Sequence, residues 1–432
     1  MKIPPVKGTR DFYPEEMAVR NFIFDGWRRA SLRNGFEEYD GPIFEYLQMY
    51  QIKSGDEIVE QLFNMTDRGG RQLAIRPEIT PTLARMVNQK ISSLPRPVKW
   101  FSMPRLCRAE RPQKGRLREF FQWNIDVIGI DDMRADAEVI YTTVDYLRSV
   151  GLKACDIRAK ISSRRLLANL LLAIGVAKEE LDGLYPLLDK KSKLDEVKFR
   201  EMLGEKVADS GRAGKIMELM AVEDVREIGK VMEVTGDVEK DIAEVRSLFA
   251  LLERMGIGEY CRFDMGIVRG LAYYTGMVFE VHDICGDLRA ICGGGRYDNL
   301  LRDFGGPAIS ATGMGMGDCV LEILLREKGL ISDGFATKRV DYFVAYTDKE
   351  MLDEAIVTAC ELRRLGYCAD FCYKAMGLGK QLKQASGANA RVTVILGEEL
   401  AEGKVVVKDM VTGEQHEETR AGFFERLAGG AR

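Results

Sequence analysis

Apolar residues recur at helical spacing between Glu15 and Asn34, where Met17, Phe24, Trp27 and Ala30 form a stripe and Gly35 supplies the stop. Phe36–Tyr50 then turns strand-like around Pro42. From Leu62 to Asp126 short alternating segments are broken at Thr66–Gly70, Pro95–Pro97 and Pro112–Gly115, which predicts an antiparallel sheet. From about Asp156 to Met255 good helix formers dominate, with few aromatics and a glycine-containing break at Ser210–Gly214. Strand-type alternation resumes over Arg262–His282, so the helical stretch reads as an insertion. Glycine-dense segments follow at Cys292–Tyr297 and Thr312–Gly317, then a helix at Asp318–Lys328. Past a linker at Gly329–Lys338 the pattern changes again. Strands at Val340–Tyr346, Tyr367–Tyr373, Arg391–Leu396 and Lys404–Asp409 alternate with helices at Glu350–Leu365 and Gly379–Ser386. That predicts a small α/β domain with a largely parallel sheet.

A length of 432 residues fits two to four domains, at roughly 100–200 residues each. The 46% apolar and 30% charged composition is that of a globular chain. With 63 basic against 67 acidic residues, a uniformly basic nucleic-acid coat is excluded, but a local basic patch is not. The start at Met1 shows no secretory leader pattern, and the longest apolar stretch, Leu166–Ala177, falls short of the ~20 residues a membrane span needs. Nine cysteines without a CxxC pair suit a reducing compartment. The expectation is a soluble cytoplasmic protein with no membrane partner and no structural metal site. Only His282 and His416 are histidines, so Ser/His, Cys/His and zinc-hydrolase chemistry have little to work with. Catalysis by arginine, carboxylate and backbone charge is what remains.

Four segments carry candidate chemistry. In Leu73–Pro81 (LAIRPEITP), read as a strand, Arg76, Glu78 and Thr80 share a face, and a carboxylate beside a hydroxyl suits an ammonium group. A surface strand with a cross-strand ion pair explains the same letters. Arg96–Arg118 holds eight basic residues and one acid, Glu110, and its Pro112–Gly115 turn makes a hairpin with a basic tip suited to phosphate. On the outgoing strand Phe120, Gln122, Asn124 and Asp126 share one face, and Phe121, Trp123, Ile125 and Val127 the other. In Gly266–Glu280, Arg269 lies between turn glycines, where a rigid charged fork suits phosphate or carboxylate, ahead of Tyr273 and Tyr274. The glycines of CGGGRYDNL and TGMGMGD allow close approach to the backbone. No GxxxxGK[ST] and no dinucleotide fingerprint is present, which disfavours P-loop and Rossmann sites.

In this order, the segments resemble class II aminoacyl-tRNA synthetases and, within them, the histidyl-tRNA synthetase family. KGTRDFYPEE (Lys7–Glu16) is similar to the family's opening signature and RPEITP (Arg76–Pro81) to its amino-acid-binding segment. RAERPQKGRLREFFQ (Arg108–Gln122) resembles motif 2, RGLAYYTGMVFE (Arg269–Glu280) the histidine signature, and CGGGRYDNL the adjoining strand. The resemblance implies an α+β fold: an antiparallel six-stranded sheet flanked by helices, with a helical insertion and a C-terminal α/β anticodon-binding domain. The corresponding divisions are residues 1–155 and 259–328 for the catalytic core, 156–258 for the insertion and 338–432 for the last domain.

The resemblance also implies an activity: ATP-dependent, Mg²⁺-assisted conversion of histidine to histidyl-adenylate, then transfer to the 3′-terminal ribose of tRNA(His). Glu78 and Thr80 would hold the histidine ammonium, Gln122, Tyr273, Tyr274 and Tyr297 would line the pocket, and Asp126 would face the imidazole. Arg108 would clamp the α-phosphate, Arg116 the β/γ end, and Arg269 would be the catalytic arginine. Arg111, Gln113 and Lys114 would meet the tRNA acceptor end, and Lys380 and Lys383, with Tyr373, Lys374 and Gln381, the anticodon. Phe36–Tyr50 resembles motif 1, which implies a homodimer. The chain departs from the pattern at Ala272, where an acid is usual, and in GMGDCVLE, where Asp318, Cys319 and Val320 stand across the motif 3 stretch that normally brings an arginine to ATP. Two rivals share the fold: a synthetase-like regulatory subunit of ATP phosphoribosyltransferase, and a class II synthetase for another amino acid.

Overall fold

Alternation over Glu119–Ile128 sets the architecture, because Trp123, Ile125 and Val127 are buried on one face while Asn124 and Asp126 are buried on the other. The computed structural model describes residues 3–54, 62–191, 194–207, 209–268, 274–286, 288–332, 335 and 340–430. Its contacts divide into two units, residues 1–11 with 19–332, and residues 12–18 with 333–432.

In the first unit the strands are β1 (Glu37–Glu38), β2 (Phe44–Tyr46), β3 (Asn64–Thr66), β4 (Gln72–Ile75), β5 (Val98–Ser102), β6 (Arg105–Cys107), β7 (Glu119–Ile128), β8 (Ile157–Ser163), β9 (Cys261–Phe263), β10 (Met277–Asp283), β11 (Cys292–Tyr297) and β12 (Ala311–Gly317). The main sheet runs β1-β5-β7-β12-β11-β10-β8-β9, with β6 paired to β7. All five pairings from β5 to β8 are antiparallel, which gives the expected six-stranded core. The edges β1 and β9 add parallel strands that the sequence reading lacks. Behind β7, Trp27 stacks on Trp123 with ring centroids 6.3 Å apart, and Trp123 Nε1 donates to Ser31 Oγ at 2.8 Å.

Three local expectations are corrected. The stretch read as helical from Asp156 begins with β8, whose Ile157, Ala159 and Ile161 are buried in the sheet; the helices Arg164–Ala173, Leu181–Leu188, Glu196–Lys206, Ser210–Met220 and Gly236–Arg254 come after it. Ser210–Gly214 is not a break but a helix start, capped by Asp209, which accepts from the Arg212 N–H at 2.9 Å. Phe36–Tyr50 is strand only at β1 and β2, and Leu47–Ser54 is a helix. β2, β4 and β3 form a small separate antiparallel sheet.

In the second unit β13 (Tyr342–Tyr346), β14 (Ala369–Phe371), β15 (Val392–Leu396), β16 (Lys404–Asp409) and β17 (Gln415–Thr419) pair in the order β14-β13-β15-β16-β17. The first two pairings are parallel and the last two antiparallel, so the sheet is mixed rather than largely parallel. β17 carries no apolar residue and sits at an edge, which is why hydropathy does not reveal it. Among the described residues no helix is long and apolar enough to cross a membrane.

Candidate active site

The segment around Glu78 is strand, turn and helix rather than one strand. Pro77 and Pro81 end the extended run and open the helix Thr80–Gln89, with a proline in its first turn. Arg76 therefore parts from Glu78 and Thr80. It is buried and donates to Asp40 and the Gly41 carbonyl, each at 2.7 Å, and to the Arg105 carbonyl at 3.1 Å. It is a positioning residue that ties three segments behind the site. Glu78 and Thr80 remain together and line a cavity of about 480 Å³.

Opposite them the polar row of β7 behaves as its alternation predicts, with Gln122, Asn124 and Asp126 lining the same cavity. Asp126 is buried, and the Tyr297 hydroxyl donates to its Oδ1 at 2.5 Å. That bond fixes the carboxylate at the cavity wall. Tyr274 completes the lining beside Tyr297. Burial and the charge of Asp126 push the nearby Tyr39 phenol well up, so it stays protonated.

The glycines of β11 and β12 have a different purpose from direct ligand contact. A Cβ on Gly313 would lie 2.8 Å from Asp126 Cγ, and one on Gly315 would lie 2.9 Å from Gln122 Cδ. The space that those glycines leave is filled by the two polar side chains of the neighbouring strand. Within the same CGGGRYDNL segment Arg296 is buried and bound to Asp136 at 2.6 Å, a link between β11 and the helix Met133–Ser149.

A second cavity of about 250 Å³ adjoins the first and shares Arg108, Arg116, Gln122, Glu280, Arg289, Gly293 and Gly315 with it. Arg108 Nε donates to the Pro77 carbonyl at 3.1 Å, and its guanidinium lies over Phe120, 5.2 Å from the ring centre. Arg116 is paired with Glu110 across the motif 2 turn. Reciprocal backbone bonds between Gln113 and Arg116, at 2.9 and 2.8 Å, close that turn, and Gly115 takes the positive φ it requires. Arg111, Gln113 and Lys114 stand exposed on it. Arg289, unremarked in the sequence, joins both cavities from the β10–β11 connection. Partial burial, then Arg116 and Arg108, lower its pKa, with Glu110 and Glu280 opposing. Glu280 Oε2 in turn lies 2.9 Å from His282 Nε2.

Arg269 and Tyr273, the expected catalytic arginine and the first of the paired tyrosines, lie outside the described residues. In the second unit Lys380 and Lys383 are exposed on the helix Leu378–Gly387, as are Tyr373 and Lys374 before it. Gln381 is not available with them. It is buried, donates to the Tyr346 and Met376 carbonyls at 2.8 and 2.7 Å, and accepts from the Tyr346 N–H at 3.0 Å.

A carboxylate beside a hydroxyl, a fixed buried acid and a cleft rich in arginine thus share one face of the antiparallel sheet. A family model for histidyl-tRNA synthetase matches residues 8–317, and one for an anticodon binding domain matches residues 341–429. The chain belongs to the histidyl-tRNA synthetase family. It is 40% identical to the chloroplastic/mitochondrial histidine–tRNA ligase of Arabidopsis thaliana, over 96% of this chain and 84% of that one. It is 38% identical to the histidine–tRNA ligase of Opitutus terrae, over 94% and 93%. Among solved structures, the histidyl-tRNA synthetase of a Nostoc species shares the fold with a TM-score of 0.84 at 21% identity, covering 99% of each chain. The apo S. aureus histidyl-tRNA synthetase matches with a TM-score of 0.74 at 26% identity, over 99% and 100%.

Against that family pattern, the structure explains what replaces the motif 3 arginine locally. Asp318 opens the helix Asp318–Glu327, accepts from the Phe121 N–H at 2.9 Å, and binds Arg10 of the opening signature at 2.5 Å. Cys319 and Val320 follow it into the wall of the smaller cavity. Neither the Arg10–Asp318 joint nor Arg289 is marked by any periodicity. The one available signal was the absence of a cation in GMGDCVLE, which calls for one from elsewhere.

Proposed function

We propose that this chain is a histidine–tRNA ligase whose larger cavity holds histidine and whose smaller cavity holds the ATP phosphates. The observation that carries the reading is the Asp126–Tyr297 pair facing Glu78 and Thr80. Glu78 supplies the counter-charge for the α-ammonium and Thr80 an acceptor, while Asp126 accepts the imidazole N–H. A buried site built to hydrogen-bond its substrate rejects analogues lacking those groups by about 10⁴–10⁵. Held between them, a histidine carboxylate oxygen attacks the α-phosphorus. The Pα–O bond to the β-phosphate breaks, and pyrophosphate leaves with the electron pair. Arg108 neutralises the α-phosphate and Arg116 the β/γ end, and Arg269 is assigned to the reacting carboxylate and phosphate. Fixed guanidinium charge of this kind lowers the barrier without a proton-transfer group.

Mg²⁺ enters as part of the ATP substrate and adds charge neutralisation on its phosphates. Glu280 is the carboxylate that lines both cavities and fits an oxygen-seeking cation. Arg111, Gln113 and Lys114 receive the acceptor end of tRNA(His), whose terminal ribose hydroxyl then attacks the adenylate carbonyl carbon, breaking its bond to the phosphate oxygen and releasing AMP and a proton. Lys380 and Lys383 contact its anticodon end. A homodimer through the motif 1 region is supported by the exposure of Ile43, Phe44, Tyr46 and Met65, at 44–57%, around the small β2-β4-β3 sheet. A cytoplasmic location suits nine free cysteines.

The test is amino-acid-dependent ATP–pyrophosphate exchange with all twenty amino acids, followed by charging of tRNA(His). Exchange with histidine alone supports the ligase. A folded protein inactive with every amino acid supports the rival regulatory subunit, which the lack of an arginine across Asp318–Val320 favours. A solved Bacillus halodurans protein described as an ATP phosphoribosyltransferase regulatory subunit/histidyl-tRNA synthetase has the same fold (TM-score 0.76, 23% identity). The anticodon-type second unit favours the ligase.

A further inference from the structure

We propose that Arg289 is a further phosphate-binding cation of this cleft and holds the pyrophosphate end of ATP, opposite a helix start that offers no cation. The proposal rests on reading the smaller cavity as the ATP site. Arg289 lies on the connection between β10 and β11 and lines both cavities with Arg108 and Arg116. The wall it faces is the first turn of the helix Asp318–Glu327, where Cys319 and Val320 carry no positive charge and Asp318 is already bound by Arg10.

Several arginines of this unit are held by carboxylates, Arg10 by Asp318, Arg105 by Glu119 and Arg296 by Asp136. Among the described residues Arg289 has no carboxylate within ion-pair distance, although it crowds two other guanidinium groups. Arg289 is exposed at the cleft mouth, where Glu110 and Glu280 offset part of the repulsion, and a triphosphate would supply further neutralising charge. The smaller cavity that it lines also includes Gly115 and Arg116 of the motif 2 turn and Cys319 and Val320, the side of the cleft assigned to the β/γ end.

The backbone on either side of it is anchored. Leu288 and Ile291 flank it and are buried, and the Ile291 N–H donates to the Val281 carbonyl at 2.8 Å. When the Pα–O bond breaks, the departing pyrophosphate gains charge, and Arg289 stabilises it there with Arg116.

The experiment is histidine-dependent ATP–pyrophosphate exchange by the full-length wild type, Arg289→Ala and Arg289→Lys, with melting temperatures measured in parallel. Arg289→Ala is expected to lower kcat/KM for ATP at least ten-fold and to raise the KM for pyrophosphate alongside it. The histidine KM and the melting temperature stay within two-fold and two degrees, roughly, of wild type. Arg289→Lys, which keeps the charge but not the fork, recovers part of the loss. ATP and pyrophosphate parameters of Arg289→Ala within two-fold of wild type overturn the proposal while leaving the ligase reading intact. Absence of exchange in the wild type itself overturns both.

Discussion

Gly313→Ala is a single methyl that should disable histidine recognition without touching a recognising residue. The added Cβ would stand 2.8 Å from Asp126 Cγ and 2.9 Å from the Ile125 carbonyl oxygen, both inside van der Waals contact. The backbone cannot withdraw, because Gly313 pairs with Asp126 on one side and Gly295 on the other, in the middle of the sheet. The Asp126 carboxylate must therefore swing, and its 2.5 Å bond from the Tyr297 hydroxyl breaks. A hydrogen bond to a charged group is worth about 1.5–3 kcal/mol. At 1.4 kcal/mol per factor of ten, losing the fixed acceptor lowers kcat/KM for histidine by roughly 10- to 150-fold. The assay is ATP–pyrophosphate exchange under histidine titration, with the KM for ATP as internal control and far-ultraviolet circular dichroism as a check on folding. A folded variant whose kcat/KM for histidine stays within three-fold of wild type refutes the reasoning, and so does an equal loss for ATP.

Arg76→Ala should destabilise the chain by about 2–3 kcal/mol in urea unfolding, because it strands the Gly41 and Arg105 carbonyls, and should raise the histidine KM through a displaced Glu78 turn. Burial pushes the Asp136 carboxyl up to about 6, against the opposing pull of Arg296. A folded-state pKa above the unfolded 3.8 gives stability that is full below about pH 4 and lost as pH rises through 6. The stability difference between wild type and Asp136→Asn should accordingly fall over that window, as unfolding titrations at pH 4 and pH 7 can show. In the second unit, Gln381→Ala should lower the melting temperature by leaving the buried N–H and carbonyl of Tyr346 and the partly buried Met376 carbonyl without their side-chain partner. Lys380→Ala with Lys383→Ala should leave stability unchanged and weaken tRNA(His) binding, with a shallower salt dependence in filter binding.

What the sequence reveals of this site depends on whether a residue's role shows in its periodicity. β7 is legible on both faces because Trp123, Ile125 and Val127 alternate with Gln122, Asn124 and Asp126, and the sheet enforces that alternation. Pro112–Gly115 is legible because its turn chemistry is local. Arg76 is not: period-two reasoning needs an unbroken strand, and β4 ends at Ile75, just before Arg76 and Pro77. Gln381 between two exposed lysines reads as a third surface contact, yet the helix turns it inward onto the backbone of β13. Lateral packing is equally hidden. Gly313 and Gly315 look like a ligand cradle in one dimension, and only strand register shows that Asp126 and Gln122 fill their space.

The motif 3 region shows why a missing residue is harder to interpret than a present one. A helix N-terminus already carries positive character and favours an acid in its first turn. Asp318 takes that position after the Gly317 cap, and with it two donors, the Phe121 N–H and the Arg10 guanidinium. Three separate stretches of sequence, the opening signature, β7 and this helix, are thereby joined at one buried carboxylate. The helix has gained a structural joint where the family pattern has a phosphate ligand two residues on. The charge required by ATP is then free to come from any side chain that the sheet brings to the same cavity. β10 and β11 end beside it, and their connection carries Arg289. The electrostatic requirement belongs to the cleft rather than to a sequence position, so the same field can be supplied from the opposite wall.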